Sequence, residues 1–209
     1  MRVVVCDTDL GNLRSVERAL LEASRGIPVT VDVTRDPTHL RAADRLVVPG
    51  QGAFRDGMAA LGGALGDAVR EHLAAARPYL GICLGLQLLF EGSDEAPGCA
   101  GLGVLPGRVV RLRGGVDALT GLPLKIPHVG WNTVDVARAG VLPAGPACHF
   151  YFVHSYVAVP ADGGVVAATT EYGERFASAI ERGSLAATQF HPEKSGHAGL
   201  ALLERFLRR

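Results

Sequence analysis

Apolar and polar positions follow two alternating periods over the first ninety residues. Short apolar runs or period-two alternation, typical of buried strands, are separated by segments whose apolar residues recur at helical spacing. The predicted strands are Val3–Asp7, Val29–Thr34, Arg45–Pro49 and Pro78–Ile82. The predicted helices are Asn12–Ala23, Phe54–Ala76 and Leu84–Glu91. Strands separated by helices of this length predict right-handed crossovers and a parallel sheet covered on both faces.

After Gly92 the pattern changes to short, β-rich segments punctuated by glycine and proline. The predicted strands there are Gly103–Arg113, Thr133–Ala137, His149–Val159, Gly164–Thr170, Phe176–Glu181 and Leu185–Phe190, before a closing helix at Gly199–Leu207. The sequence contains no internal repeat or low-complexity linker. We therefore predict one domain over residues 1–209 with an α/β fold. It has an open, mostly parallel central sheet with helices on both faces and an additional antiparallel β-rich region in its C-terminal half.

Composition narrows the class of protein. Lys plus Arg and Asp plus Glu both number 21, and a net charge of zero argues against a nucleic-acid partner. No apolar run is long enough for a membrane span, and Met1–Asp7 is too short for a signal peptide. The 4 cysteines form no C-x-x-C pair, so neither disulfides nor a metal site is expected, and a cytoplasmic location follows.

Cys83 is the candidate nucleophile. Ligands of open α/β sheets bind beyond the carboxyl ends of the strands, and Cys83 lies at such an end, between a predicted strand and a predicted helix. Gly81 and Gly85 flank it, as in a nucleophile elbow, where the turn is tight and two backbones pass closely. A helix N-terminus also favours the thiolate. The remaining cysteines are interpreted as small buried hydrophobes.

His191 is the candidate base and Glu193 the residue that orients it. Pro192 favours an extended His191, and side chains two apart on an extended chain point the same way. Glu193 is therefore expected to accept a hydrogen bond from one ring nitrogen and leave the other facing the thiol. An isolated His-x-Glu pair is more often structural, and only the cysteine elbow makes this one the best base available.

Other histidines are weighed against His191 as the base. His39 and His72 lie on polar helical stretches and are predicted to be solvated. His128 and His154 remain alternative bases, because both lie in segments that we place near the site.

The chain runs from a strand into a helix through Gly50, Gln51 and Gly52. Backbone N–H groups of Gln51 and Gly52, with that of Leu84, are predicted to form an oxyanion hole. An ordinary glycine turn is the alternative. A phosphate-binding loop is disfavoured because no Gly-Lys-Ser/Thr follows.

The glycine loop at Gly50–Gly52, the cysteine elbow at Cys83 and the His191–Glu193 pair follow one another along the chain in this order. Together they resemble the class I (triad-type) glutamine amidotransferases, which have a flavodoxin-like fold. Four more segments make the chain most similar to the glutaminase subunits of imidazole glycerol phosphate synthase. They are Gly11–Val16, Lys125–Asn132, Phe150–Tyr156 and Gln189–Gly196. The resemblance spans nearly the whole chain, and Lys125–Asn132 is its most specific part.

The resemblance implies that Cys83 attacks the side-chain amide of L-glutamine, that ammonia leaves protonated by His191, and that water hydrolyses the glutamyl thioester. No cofactor and no metal are expected. The substrate-binding residues that it implies are Gly50, Gly52, Gln87, His154, Ser155 and Tyr156. It also implies a (β/α)8-barrel cyclase partner that takes the ammonia and makes imidazole glycerol phosphate and an aminoimidazole carboxamide ribotide. The implied docking residues are Asn12, Trp131 and Lys194, although a tryptophan is as readily a core residue.

Two segments depart from the family pattern. Asp7–Leu10 replaces the usual aromatic residue and glycine, and Gln51 replaces a small aliphatic residue. The glycines that flank Gln51 lead to the hypothesis that the isolated chain is nearly inactive.

Three alternative functions remain. One is a glutaminase that serves pyridoxal phosphate, guanylate or anthranilate synthesis, which Trp131 in its Pro-His-x-Gly-Trp-Asn setting disfavours. Another is a thiol esterase or peptidase. The third is a non-catalytic binding module, which the intact Cys83, His191 and Glu193 argue against.

Overall fold

A computed structural model describes residues 1–116, 120–142 and 148–209 of the chain. The helices in these ranges are α1 Leu13–Ala23, α2 Pro37–Arg41, α3 Phe54–Ala60, α4 Ala64–Ala74, α5 Leu84–Gln87 and α6 Gly196–Leu207. The strands are β1 Arg2–Cys6, β2 Thr30–Thr34, β3 Arg45–Gly50, β4 Tyr79–Cys83, β5 Gly107–Arg111, β6 His128–Val136, β7 Cys148–His154, β8 Tyr156–Pro160, β9 Val166–Glu171, β10 Arg175–Arg182 and β11 Leu185–Thr188. None of the described helices is long and apolar enough to span a membrane.

One mixed sheet organises the described chain, in the order β2-β1-β3-β4-β11-β10-β9-β6-β7. Strand β1 pairs in parallel with β2 and β3, and β4 pairs in parallel with β3 and β11. From β11 onward every pairing in this sheet is antiparallel. Strands β5 and β8 form a separate antiparallel ribbon. The predicted fold class is confirmed, and the antiparallel strands β10, β9, β6 and β7 extend the parallel sheet.

Helices cover both faces of the sheet, as predicted. Successive strand residues point to opposite faces, so Val3 and Val5 join one core and Val4 joins the other. Helices α1 and α6 cover the first face, where Leu20 and Phe206 are fully buried. Helices α2 to α5 supply apolar side chains to the second core. The carboxyl ends of the parallel strands are left open at one edge, which is where the site lies.

The bounds of helix α2 were not predicted, although His39 was placed on a helical stretch and the start of the helix carries a recognisable signal. The Asp36 carboxylate accepts a hydrogen bond from the backbone N–H of Thr38 at 2.8 Å, and Pro37 occupies the first turn. An acidic N-cap followed by proline is a common way to begin a helix.

The predicted single helix Phe54–Ala76 is wrong. Two helices, α3 and α4, occupy this stretch and are separated at Gly62 and Gly63. Gly63 has φ of +60° at the N-cap of α4, a conformation that glycine adopts without the cost that a Cβ imposes. The chain changes direction there.

The helix predicted for Leu84–Glu91 is also wrong at its end, because α5 stops at Gln87. The backbone carbonyls of Leu88 and Leu89 instead accept hydrogen bonds from the returning segment, at 2.8 Å from the N–H of Leu102 and 2.9 Å from that of Val104. A non-local contact therefore replaces the next helical turn.

The strand predicted for His149–Val159 is two strands, β7 and β8, which part at Ser155. Strand β7 pairs with β6 in the large sheet, whereas β8 pairs with β5 in the ribbon. The break at Ser155 turns this segment toward the end of β4, where Cys83 lies.

Candidate active site

Cys83 occupies a strained turn between β4 and α5. Its φ of +53° and ψ of −102° are unfavourable for a residue with a side chain and cost on the order of 1–3 kcal/mol. The neighbouring glycines make the turn possible, because a Cβ on Gly81 would lie 2.6 Å from the carbonyl oxygen of Gly85. A Cβ on Gly85 would collide with the carbonyl oxygen of Val48. This is the geometry of the predicted nucleophile elbow.

His191 and Glu193 form a buried pair. The distance between Nδ1 of His191 and Oε1 of Glu193 is 2.7 Å, and the two side chains are 2% and 3% exposed. His191 is extended before Pro192, as predicted, with φ of −102° and ψ of 96°. The predicted reason for the alignment was wrong, however, because Pro192–Lys194 is a 3-10 helix and not a strand. This turn, and not alternation along an extended chain, returns the carboxylate to the ring.

Hydrogen bonds to the backbone hold His191 in place. Its N–H donates to the carbonyl of Tyr151 at 2.9 Å. The Ser195 hydroxyl donates to the carbonyl of His191 at 2.6 Å and accepts from the N–H of Tyr151 at 3.0 Å. Tyr151 of β7 and Ser195, the N-cap of α6, therefore fix the backbone of His191 relative to the sheet.

The surroundings of His191 favour its charged form. Burial lowers the pKa of the ring, but the adjacent Cys83 and the Glu193 carboxylate outweigh burial and raise the pKa to about 9. Nε2 of His191 is buried and makes no hydrogen bond of normal geometry with the described residues. Cys83 is nevertheless close enough to this ring to raise its pKa. Nε2 is therefore the atom available to exchange a proton with the sulfur.

A cavity of about 370 Å³ opens beside Cys83. The predicted oxyanion and substrate-binding residues that line it are Gln51, Gly52, Leu84, Gln87, His154, Ser155 and Tyr156. Gly50 lies at the end of β3, opposite Cys83 in the strand register, and a Cβ there would lie 3.0 Å from Cβ of Leu84. Gly52 has φ of +117°, which favours glycine. The structure thus brings the predicted residues together around the thiol.

Glu95 and Gln189 are among the residues of the site that sequence reasoning missed. Glu95 lines the cavity, and its Oε2 accepts a hydrogen bond from the N–H of Phe54 at 2.8 Å. Gln189 is fully buried, and its Nε2 lies 3.6 Å from Sγ of Cys83. Glu95 carries no motif that could have revealed it. Gln189 adjoins the His-Pro-Glu segment, so proximity in sequence was its only signal.

The alternative bases His128 and His154 are committed to internal hydrogen bonds. Nδ1 of His128 lies 3.0 Å from Nε2 of His154, and Nδ1 of His154 lies 3.1 Å from the carbonyl oxygen of Tyr156. Burial lowers the pKa of His128 to about 4 and that of His154 to about 3. Both rings are therefore neutral at pH 7 and poorly suited to accept a proton from a thiol.

The prediction for His72 was wrong. Its side chain is fully buried, and Nε2 lies 3.0 Å from the carbonyl oxygen of Pro78. The apolar face of α4 that packs on the sheet includes this position, so a residue that looks polar in sequence lies inside. His39 is partly solvent-exposed, with its side chain 42% accessible, and lies 2.9 Å from Asp32.

The three predicted docking residues lie at or near the protein surface. Trp131 is 57% exposed, which excludes the alternative of a core tryptophan. Its ring meets that of Tyr151 edge-on, with centroids 6.3 Å apart, and Nζ of Lys194 lies 5.7 Å from the centroid of the same Tyr151 ring. Asn12 is exposed at the start of α1, a helix that packs against the turn carrying Lys194. Lys194 also lines the cavity.

Among the described residues, no group of three or more His, Cys, Asp or Glu side chains is arranged to hold a metal ion. The site therefore consists of a strained thiol, a buried imidazole and carboxylate pair, and a polar cavity.

A family model described as "Glutamine amidotransferase class-I" matches residues 4–209. Such a match covers nearly all of the sequence, and the chain belongs to the class I glutamine amidotransferases, enzymes with a cysteine nucleophile. The resemblance inferred from the sequence motifs is confirmed.

Two curated relatives make the match more specific. The imidazole glycerol phosphate synthase subunit HisH of Methylococcus capsulatus is 50% identical over 209 residues, covering 99% of this chain and 95% of the relative. The same subunit of Nitrosococcus oceani is 49% identical, covering 98% and 96%. Among solved structures, PurLQS from Thermotoga maritima has a TM-score of 0.73 with 18% identity over 99% of this chain and 97% of that one, a similarity that concerns the fold.

Proposed function

We propose that this chain is the glutaminase subunit of imidazole glycerol phosphate synthase. It hydrolyses L-glutamine to glutamate and ammonia and passes the ammonia to a (β/α)8-barrel cyclase in histidine biosynthesis. The near-full-length similarity to HisH subunits supports the pathway. The observation that carries the chemistry is the buried pair of His191 and Glu193 beside Cys83 at the edge of the cavity.

The cavity suits the charge pattern of free glutamine. It is lined by the Glu95 carboxylate at one position and by the Lys194 ammonium at another, and glutamine carries both an ammonium and a carboxylate group. Glu95 is held in place by the N–H of Phe54, so its remaining oxygen can accept a hydrogen bond from the α-ammonium group. Gln87 and the 154–156 segment are assigned to hold the rest of the substrate.

The first half-reaction forms a thioester. Cys83 gives its proton to Nε2 of His191, and Sγ attacks the side-chain carbonyl carbon of glutamine. Glu193 accepts the Nδ1 hydrogen and stabilises the imidazolium. Backbone N–H groups of Leu84 and of the Gln51–Gly52 segment are assigned to hold the oxyanion of the tetrahedral intermediate. The carbon–nitrogen bond then breaks, the imidazolium protonates the leaving nitrogen, and ammonia departs.

The second half-reaction hydrolyses the thioester. Water gives a proton to His191 as it attacks the acyl carbon, and the carbon–sulfur bond breaks to release glutamate and the thiolate.

The pKa of His191 bears on the first half-reaction. A His191 pKa of about 9 keeps the ring protonated at neutral pH while a thiolate is nearby. The same ring can therefore supply a proton to the leaving nitrogen without first taking one from solvent.

We assign the docking surface for the cyclase to the exposed residues of β6 and their neighbours. Val129 and Trp131 are 55% and 57% exposed and point to the same side of the strand. Large exposed apolar side chains of this kind favour a protein partner. Tyr151 lies between Trp131 and Lys194, so the surface adjoins the glutamine cavity. This proximity suits a partner that receives ammonia.

The decisive experiment measures ammonia release from glutamine by the purified chain, alone and after co-expression with candidate cyclases. The assay is run with and without the nucleotide substrate of the cyclase. We expect slow release by the chain alone and rapid release by the complex with that nucleotide. Rapid turnover by the chain alone would refute the hypothesis of an inactive free subunit. A complex that releases no ammonia would contradict the proposed activity.

Two controls separate the alternative functions. Cys83→Ala should abolish ammonia release, whereas Cys99→Ala, at a partly exposed cysteine that does not line the cavity, should leave the rate unchanged. Cleavage of ester or peptide substrates by Cys83 without release of ammonia would favour an esterase or peptidase. Recovery of a different synthase as the bound partner would favour another glutamine-dependent pathway.

A further inference from the structure

Gln189 contacts the sulfur of the proposed nucleophile from inside the protein. Its Nε2 lies 3.6 Å from Sγ of Cys83, and its side chain is fully buried. The backbone oxygen of Val153 lies 3.9 Å from the same sulfur. An N–H group can stabilise negative charge on sulfur, whereas a carbonyl oxygen cannot. Of these two neighbours, Gln189 is the one that suits a thiolate.

Surrounding hydrogen bonds determine which end of the Gln189 amide faces the sulfur. The carbonyl oxygen of Tyr156 can only accept, so the nitrogen of the Gln87 side chain must face it, at 3.1 Å. That same Gln87 nitrogen lies 3.4 Å from Oε1 of Gln189. With its oxygen engaged in this way, Gln189 presents its nitrogen to Cys83. The orientation is therefore fixed by a chain of donors that ends at a backbone carbonyl.

The buried histidines anchor that carbonyl. Nδ1 of His154 donates to the oxygen of Tyr156 at 3.1 Å, so Nε2 of His154 accepts from Nδ1 of His128 at 3.0 Å. His128 is held between the rings of Phe152 and Tyr172, with centroids 4.8 Å and 3.9 Å away. A rigid buried cluster thus fixes the Tyr156 oxygen, which in turn orients Gln87 and Gln189.

The backbone at Gln189 is fixed as well. Its N–H donates to the carbonyl of Ser178 at 2.9 Å, and the hydroxyl of the preceding Thr188 donates to the carbonyl of Phe190 at 2.9 Å. These contacts fix the backbone from which the side chain extends, and the hydrogen bond from Gln87 holds the side-chain amide in position. A donor that is held in place in advance stabilises charge without reorganising.

We propose that Gln189 is a further catalytic residue, whose side-chain N–H stabilises the Cys83 thiolate as a hydrogen-bond donor. This inference rests on the proposed function, because it assumes that Cys83 reacts as a thiolate. Gln87, the Tyr156 carbonyl and the His128 and His154 pair act as positioning groups for that donor. Among the described residues, the other titratable or charged groups near Cys83 are His191 with Glu193 behind it, and those that line the cavity, which are Glu95, Tyr151, His154, Tyr156 and Lys194.

The test compares alkylation of Cys83 by iodoacetamide across pH, followed by site-resolved mass spectrometry, in the parent chain and in Gln189→Met. Methionine has a similar length and no N–H. We expect the alkylation profile of Cys83 to move to higher pH by roughly one unit, and kcat/KM for glutamine in the cyclase complex to fall roughly tenfold. An unchanged profile in a folded Gln189→Met protein would overturn the inference.

Ser178→Ala is the matched control. Ser178 is fully buried on β10, next to Gln189, and its hydroxyl makes no hydrogen bond with the described residues. Its carbonyl bond to Gln189 survives the substitution. The alkylation profile should match that of the parent chain. A shift as large as that of Gln189→Met would assign the effect to packing and overturn the proposed role.

A measurement on the parent chain covers the case in which Gln189→Met does not fold. The side-chain amide resonances of Gln189 are followed by NMR across pH in the parent chain and in Cys83→Ser. The amide should shift with the same midpoint as Cys83 alkylation, and this transition should be absent from Cys83→Ser. An amide that does not respond overturns the inference, whereas glutamine hydrolysis in the complex tests the proposed function separately.

Discussion

The Nδ1 atom of His191 lies 2.7 Å from Oε1 of Glu193, and both side chains are almost completely buried. Removing one partner of such a pair leaves the other uncompensated. The second oxygen of Glu193 is buried without a hydrogen bond among the described residues, so the carboxylate is committed to the histidine. We therefore expect the pair to act as one unit in catalysis.

Glu193→Gln should retain the shape of this pair and remove its charge. Without the carboxylate, the imidazolium is less stable and the ring tautomer is no longer fixed, so kcat should fall by about 10²- to 10⁴-fold. The measurement is glutamine hydrolysis by the cyclase complex. Glu204→Gln is the control, since Glu204 pairs with Arg208 on the exposed side of α6 and should not affect kcat. Equal rates for Glu193→Gln and the parent chain would argue against the assigned role of Glu193.

The raised pKa of His191 predicts a pH dependence of stability. Because its folded-state pKa is about 9 and its ordinary value is 6.5, the stabilising contribution is present below about pH 6.5. It is lost as pH rises toward about 9. We expect the free energy of unfolding to fall more steeply over this interval in the parent chain than in His191→Gln, by no more than about 3 kcal/mol. Denaturant titrations of both proteins at several pH values measure the difference, and parallel curves would contradict it.

Gly85→Ala should disrupt the elbow. The added Cβ would collide with the backbone carbonyl of Val48, which cannot move without displacing β3. We expect a loss of at least about 3 kcal/mol in the free energy of unfolding, or no folded protein. Gly163→Ala is the control, since a Cβ there meets nothing within 4 Å and φ is not positive. Thermal unfolding distinguishes the two, and similar melting temperatures would contradict the packing around Cys83.

Trp131→Ala should weaken binding of the cyclase without destabilising the free chain. A side chain that is 57% exposed contributes little to folding, so stability should change by no more than about 0.5 kcal/mol. An aromatic anchor at an interface is worth about 2 kcal/mol or more, so the dissociation constant should rise roughly thirtyfold. Val159→Ala, at a similarly exposed residue on the β5–β8 ribbon, is the control. Equal affinities of the two variants would argue against the assigned surface.

Much of the parallel half of the fold could be predicted, because buried strands such as β1 and β4 consist of short runs of apolar residues. The cysteine elbow could also be predicted, since flanking glycines are a local requirement of its geometry. The elements that were missed depend on contacts distant in sequence. Helix α5 ends because backbone N–H groups in the 102–105 segment donate to the carbonyls of Leu88 and Leu89, which a longer helix would use. His72 is buried because it lies on the face of α4 that packs into the second core.

Site residues could be predicted where reactive residue types stand at a short, fixed spacing in the sequence, as at His191 and Glu193. The 3-10 turn that aligns them was not, because a proline favours both an extended residue before it and a helical turn after it. Glu95 and Gln189 could not be identified, since their roles arise from distances to Phe54 and Cys83 that no local pattern records. Tertiary contacts, and not residue type, define these positions.

The most direct test of the account is to trap the covalent intermediate. The cyclase complex, with its nucleotide substrate, is mixed with glutamine, quenched in acid and digested for mass spectrometry. We predict a glutamyl adduct on Cys83 and none on Cys99 or Cys148, with no adduct in Cys83→Ala. Continued release of ammonia with no adduct at Cys83, or an adduct at another residue, would contradict Cys83 as the nucleophile.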